Sequence, residues 1–192
     1  MTPMTARYLN ILLITSPVLL SGCGGSTGAF EDPMVQAPNL GLFATEALLV
    51  SEVSQLTFTN PSSITSLGSA AYVGVLSGSL ELIEGAPIDL AGALAIRTDL
   101  STGSLQFDGE ATDFVTSDAS LIAGVLTLEQ TNFDAAANPD LDYSFSGILE
   151  GQLDVSGLED LNVSIRLEGD FYDEDAAFLG GSAVGLADTG AE

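Results

Sequence analysis

The chain has 192 residues, with 27 acids against 3 bases, one Cys, no His and no Trp, for a formal charge of −24. Without imidazole there is no Ser/His/Asp or Cys/His nucleophile system, no His-ligated zinc and no proximal-His haem, and a lone Cys excludes an intrachain disulfide or a CxxC knuckle. The only cations are Arg7, Arg97 and Arg166, so contact with a nucleic-acid backbone or an anionic lipid surface is repelled rather than steered.

Residues 1–22 carry one positive charge at Arg7 and then the apolar stretch from Tyr8 to Leu20, too short and interrupted for a permanent span and suited to an export signal. The stretch ends in Leu20-Ser21-Gly22-Cys23. This resembles the bacterial lipobox, in which small residues precede a Cys whose thiol takes a diacylglyceryl group. The expected mature chain begins at a lipidated Cys23 and has lost one Arg and no acid. Several acyl chains give firm anchoring, at roughly 0.8 kcal/mol per buried methylene. Gly24 stands where an Asp would favour inner-membrane retention in enteric bacteria, so an outer-membrane destination is expected.

Residues 23–39 are rich in small residues and Pro, without an apolar period, and read as a flexible tether. Residues 40–68 are ambiguous: Ala44 to Val53 fits either an amphipathic helix or a strand leading into Gln55-Leu56-Thr57-Phe58-Thr59.

From Ser69 onward the period is two. Tyr72, Gly74, Leu76, Gly78, Leu80 and Leu82 share a face, as do Ile88, Leu90, Gly92, Leu94 and Ile96. Leu141, Tyr143, Phe145, Gly147, Leu149, Gly151, Leu153 and Val155 alternate with Asp142, Ser144, Ser146, Glu150, Gln152 and Asp154. Leu161, Val163, Ile165, Leu167, Gly169 and Phe171 alternate with Asn162, Ser164, Arg166, Glu168 and Asp170. These are half-buried strands, separated by turn signals such as Asp99 to Gly103 and Ala137 to Asp140. No helical period intervenes, so parallel crossovers are not expected.

The predicted fold is all-β: one antiparallel, about eight-stranded soluble barrel over residues 69–192, with an open sandwich as the alternative. Gly on the apolar face allows bending and leaves room for large neighbours. A lipid-facing barrel would alternate too. It would also call for aromatic girdles and an aromatic-tipped last strand, whereas this chain has four Tyr and no Trp and ends Asp188-Thr189-Gly190-Ala191-Glu192.

The segment from Gly169 through Asp170-Phe171-Tyr172-Asp173-Glu174-Asp175-Ala176 to Gly180-Gly181 resembles the closing motif of the barrel domains of transferrin-binding protein B and factor H binding protein, surface lipoproteins of Gram-negative bacteria. A Gly, one residue and an aromatic pair are followed by an Ala and then Gly-Gly at the same spacing. Ala71-Tyr72-Val73-Gly74 with Gly78 is similar to the family's first barrel strand. The resemblance spans approximately Ser69 to Leu186. Asp173 replaces the family's usual Gly, and Phe178 stands where an acid is common. The resemblance implies an eight-stranded barrel held at the outer membrane and used as a binding module, with no catalytic residue and no cofactor. The motif residues Tyr72, Gly74, Gly169, Phe171, Tyr172, Ala176, Gly180 and Gly181 are then structural, the glycines relieving crowding.

Three functional classes remain. The first is a lipid-anchored surface module that binds a protein partner in nutrient (iron or haem) acquisition or cell-surface interaction, through the loops Asp113–Ser120, Phe133–Leu141 and Ser156–Asp160. The second is a structural envelope lipoprotein with no small-molecule ligand. The third is an enzyme or Ca²⁺ site built on Asp140 with Asp142, or on Asp173-Glu174-Asp175. Neither cluster has EF-hand spacing and nothing selects one carboxylate pair among 27 acids, so the chain reads as non-catalytic. Asn162-Val163-Ser164 reads as a strand segment, and Arg97 and Arg166 as neutralising charges on an acidic surface. The acid excess without Lys also suits a salty habitat, in which a hydrated surface stays soluble.

Overall fold

The computed structural model describes residues 9–17, 42–43, 56–64, 69–80, 87–99, 106–138, 141–155, 160–173, 176 and 178–188. Its elements are strand β1 (Leu9–Pro17), a single-turn helix α1 (Pro61–Ile64), and strands β2 (Ser69–Leu80), β3 (Ile88–Asp99), β4 (Gln106–Thr116), β5 (Leu121–Phe133), β6 (Phe145–Asp154), β7 (Leu161–Tyr172) and β8 (Phe178–Asp188). All neighbours are antiparallel and follow chain order, and β1 pairs with both β2 and β8, which makes a closed barrel.

Residues 69–192 supply seven of these strands, one fewer than the eight expected of that region. The eighth lies inside the segment read as an export signal. Its register runs from Leu9 opposite Leu80 to Pro17 opposite Tyr72 on β2, and from Leu9 opposite Gly185 to Thr15 opposite Leu179 on β8. An apolar stretch rich in Ile and Leu with no internal Gly suits a ladder, and two facing strand edges are a template for it.

Period-two alternation sends the apolar set inward. Leu76, Leu94, Leu126, Leu149, Leu167 and Leu179 are fully buried, while Glu150, Gln152, Asp154, Ser164 and Arg166 are exposed on the outer wall. This is the reverse of a barrel that faces lipid. The ring of Phe114 fills the interior space over Gly92, where a Cβ would stand 2.5 Å from the ring edge. One expected inward pair is not inward. Leu141 and Tyr143 are exposed, because residues 141 and 142 form a turn on the Asn138 carbonyl and the strand begins only at Phe145.

The two ends of the barrel differ. At the end where β2 begins, Tyr72, Phe107, Phe133, Phe145 and Phe171 form an aromatic layer, with ring centroids of neighbours 4.7 to 6.5 Å apart. The buried Ile64 of α1 joins this core. Asn60 caps α1, its Oδ1 accepting from the Ser62 amide at 3.0 Å and hydroxyl at 2.8 Å, and Pro61 occupies the first helical position. Just upstream, the Thr59 amide donates to the Phe171 carbonyl and the Asp173 amide to the Thr57 carbonyl, both at 2.8 Å. On the outer wall, Leu42 and Phe43 cover Val75, Ala91, Ala93 and Val115, which explains why outward-pointing alanines of β3 are buried. Both readings left open for Ala44 to Val53, the tether 23–39 and Cys23 lie outside the described residues.

Candidate functional site

Of the three loops expected to carry contacts, two follow strands that finish at the same end of the barrel. The turn after β4 and the segment after β6 lie at the end where β2 finishes, whereas the loop from Phe133 to Leu141 lies at the opposite, aromatic end. Residues 156–159 and Asp140 fall outside the described residues. The β4–β5 turn is held by its own polar groups. The Thr116 hydroxyl donates to the Asp118 carboxylate, the Ser120 amide reaches Thr116 Oγ1 at 3.1 Å, and the Thr116 amide donates to the Ser120 carbonyl at 3.0 Å. The Thr116 hydroxyl, then Ser120, hold the Asp118 carboxyl below its ordinary value. Ala119 takes a positive φ of 66° to complete the turn.

Beside this turn the wall of the barrel is interrupted. The β4–β5 register jumps from Ala111 opposite Leu126 to Phe114 opposite Ile122, leaving two residues on β4 against three on β5. Such a bulge bends the strand and leaves ladder positions unpaired. Asp113 (φ 53°) and Gly124 (φ 136°) carry the irregular backbone, and at Gly124 a side chain would strike the Gln152 carbonyl oxygen at 2.1 Å. The result is an open cleft of about 590 Å³ with Phe114 and Ile122 on its floor and Leu121, Val125, Asp113 and Asp154 around it. Leu121 is 67% exposed and Val125 48%, large apolar side chains left in water beside two carboxylates. An apolar floor with a few convergent polar groups is the general form of a ligand site. These walls offer carboxylates and no cation, so the chemistry they suit is an apolar body bearing positive charge. The sequence signals were a Gly and an Asp inside strand-like runs, which mark a bulge.

The motif residues come together at the aromatic end. Gly169 of β7 stands opposite Gly181 of β8, and a Cβ on Gly181 would lie 2.0 Å from the Glu168 carbonyl oxygen and 2.5 Å from the Gly169 Cα. Phe171 is buried in the aromatic layer, while Tyr172 stacks on Phe58 with centroids 4.9 Å apart. The Tyr72 hydroxyl donates to the carbonyl of Ala176 at 3.0 Å, and its burial pushes the phenol well above the ordinary value. Gly74 and Gly180 lie in β2 and β8, opposite Leu94 and Asp170. Asp173 has φ 70° and Ala176 φ 53°, both in the left-handed region, which gives a backbone reason for a Gly at the Asp173 position.

Asp170 departs from its expected place. The alternation put it on the outer face, yet it is 4% exposed, and its Oδ1 accepts from both the Ser144 amide and hydroxyl at 2.9 Å. The loop ahead of β6 folds over the end of β7 and covers it. Burial raises the Asp170 carboxyl above its ordinary value, and the two bonds from Ser144 work in the other direction. Tyr172 is raised by burial first and by the neighbouring Asp170 second.

Among the described residues no group of three or more acidic or Cys side chains is placed to hold a metal ion. Glu174 and Asp175 lie outside the described residues. Of the basic residues, Arg166 pairs with Glu168 at 2.6 Å on the outer wall, and Arg97 stands directly opposite Asp108 across β3 and β4. Asn162-Val163-Ser164 lies in β7, as its alternation indicated. No protein-family model, curated protein or solved structure matches the chain.

Proposed function

We propose that this chain is an outer-membrane-anchored surface lipoprotein that acts as a non-catalytic binding module, in nutrient acquisition with iron or haem as the cargo or in cell-surface interaction. The observation that carries the reading is the position of Cys23, the lone Cys of the chain, at the end of its lone signal-like segment. A rigid barrel that presents turns at its ends is a natural scaffold for a binding surface. The cleft beside the β4–β5 turn leaves Leu121 and Val125 exposed, and it lies toward the barrel end at which β6 finishes. The closing-motif resemblance adds the family's mode of use, a binding domain held away from the membrane on a tether.

The test is protease shaving of intact cells carrying a tag after Glu192, with a periplasmic protein as control. Loss of the tag with survival of the control is the expected result. Protection of the tag overturns the surface reading and leaves a periplasmic lipoprotein. Metabolic labelling with a fatty acid, lost in Cys23→Ser, tests the anchor separately.

A further inference from the structure

We propose that the cleft beside the β4–β5 turn docks an extended segment of a partner protein in which apolar side chains alternate with Lys or Arg. The inference rests on the binding-module part of the reading above, not on the anchor, and names the chemistry of the partner. Strand order sets the geometry. Asp113 stands on β4, Leu121 and Val125 on β5, and Asp154 on β6 opposite Ala123. All four line the cleft, so an apolar stripe follows the middle strand with a carboxylate on the strand at either side. A segment laid along β5 therefore meets apolar surface on its axis and a carboxylate on each flank.

Three observations select the occupant. The first is shape. The cleft is open, whereas a tightly held small molecule needs most of its surface buried, so this floor suits side chains of a body too large to enter it. The second is the apolar surface that the wall fails to cover. In the β4–β5 register Thr112 and Asp113 have no partner on β5, and Ala123, Gly124 and Val125 have none on β4. The β3–β4 register breaks at the same place, where Asp113 and Phe114 together face Gly92. A bulge re-aims side chains, and here Asp113 is exposed between the buried Ala111 and Phe114 while Leu121 and Val125 stay exposed beyond the gap. The third is charge. Among the described residues that line the cleft none is basic; Arg97 stands opposite Asp108, and Arg166 pairs with Glu168. Asp113 accepts from the Thr112 hydroxyl at 3.1 Å, which leaves its charge in place. An anionic segment is repelled in the field of a chain of charge −24, and a neutral polar one gives Leu121 and Val125 nothing apolar to meet. Lys and Arg satisfy both demands, because their stems lie along apolar surface while the charged head reaches a carboxylate. Exposed ion pairs contribute little each, so the apolar contacts supply most of the affinity and the carboxylates select the partner.

The experiment titrates the purified full chain at low salt with a short fluorescein-labelled peptide of alternating Lys and Leu, read by anisotropy. Saturable binding is expected, and is lost when Glu replaces Lys or Ser replaces Leu in the peptide. Leu121→Ser with Val125→Ser should weaken it about tenfold. Asp113→Asn with Asp154→Asn should weaken it about threefold at low salt and less at high salt; Asn keeps the Thr112 acceptor and tolerates the left-handed backbone there. Asp134→Asn with Asp142→Asn removes the same charge at the opposite end of the barrel and should leave the affinity unchanged. In the complex of the parent chain, which needs no variant, amide exchange should slow over Leu121 to Val125. Absence of saturable binding, full affinity in the serine variant, or unslowed exchange over Leu121 to Val125 overturns the inference. Equal weakening by the two carboxylate pairs overturns it by assigning the attraction to net charge. Where shaving removes the cell-surface tag and the peptide does not bind, the inference fails and the surface reading stands; a protected tag with peptide bound at the cleft gives the reverse.

Discussion

Gly181→Ala puts the close approach of β7 and β8 to the test. The new methyl would stand 2.0 Å from the Glu168 carbonyl oxygen and 2.5 Å from the Cα of Gly169. Both are backbone atoms of a strand held by β6 on its other side, so no side-chain rotation relieves the clash. An ordinary contact with that oxygen needs about 1.4 Å more separation, which β7 and β8 can gain only by loosening the ladder between them. Overpacking of this kind costs about 1–3 kcal/mol and a weakened backbone hydrogen bond about 1 kcal/mol more, so a loss near 3 kcal/mol is expected. For a chain of this length that lowers Tm by about 6–12 °C. Thermal and urea unfolding at fixed salt read it, with Val184→Ala as the control. Val184 is 50% exposed on the outer face of the same strand, and its truncation should cost less than about 0.5 kcal/mol. A Gly181→Ala variant as stable as that control would refute the tight approach and the structural account of the closing glycines.

Four further outcomes are expected. Asp170→Asn keeps an oxygen acceptor for Ser144 and removes the buried charge; because the folded carboxyl is raised, the parent loses stability as pH climbs from the ordinary carboxylate value through the folded one. Urea unfolding against pH should therefore show the variant gaining on the parent from about pH 4 upward and converging with it below, and parallel curves would refute the sign. Tyr72→Phe leaves the Ala176 carbonyl without its donor and should cost about 1–3 kcal/mol in the same assay, with a much smaller loss refuting that bond. Ala119→Gly relieves a left-handed φ in the β4–β5 turn while retaining its backbone bond to the Thr116 carbonyl, so stability should rise by up to about 1 kcal/mol, and a fall of that size would refute the strain. With a charge of −24, unfolding midpoints should climb as NaCl is raised from 0.05 to about 1 M through screening of self-repulsion, and midpoints indifferent to salt would refute it.

The strands from Ser69 onward were legible because one face is buried and one is wet, so period two survives in the sequence even where Gly replaces the large residue. What misled was coverage from outside a strand. Ala91 and Ala93 look outward by parity and are buried under Leu42 and Phe43, and Asp170 looks outward and is buried under the loop that carries Ser144. Parity reports the wall, and a segment folded over the wall from a distance leaves no mark in the strand itself. The cleft was half legible: Gly124 and Asp113 are the residues a bulge favours, but only the register jump between Ala111 and Phe114 shows that the wall opens there. The apolar stretch from Leu9 shows the limit of pattern most clearly. The composition that suits an export signal also suits a buried strand, and chain processing, which no period encodes, decides between the two.

The chemistry at the two ends narrows what a binding role can be. A ferric ion held without imidazole would turn to a phenolate, and Tyr72 is the wrong donor: its hydroxyl is engaged at Ala176 and burial holds it protonated. Tyr172 is raised by burial and by the carboxyl of Asp170, which disfavours the same anion. Tyr143, 3.5 Å from the Ser182 hydroxyl, is the described tyrosine most open to solvent. The cleft at the other end meets a ligand with Asp113 and Asp154 on its rim, inside the field of a strongly acidic chain. Negatively charged cargo, including the propionates of haem, is repelled there, whereas a cationic segment with apolar side chains is drawn in and can cover Leu121 and Val125. Within the binding-module reading the electrostatics therefore favour a protein surface over a small anionic nutrient, and a titration comparing a lysine-rich amphipathic peptide with haem, at low and at high salt, separates the two.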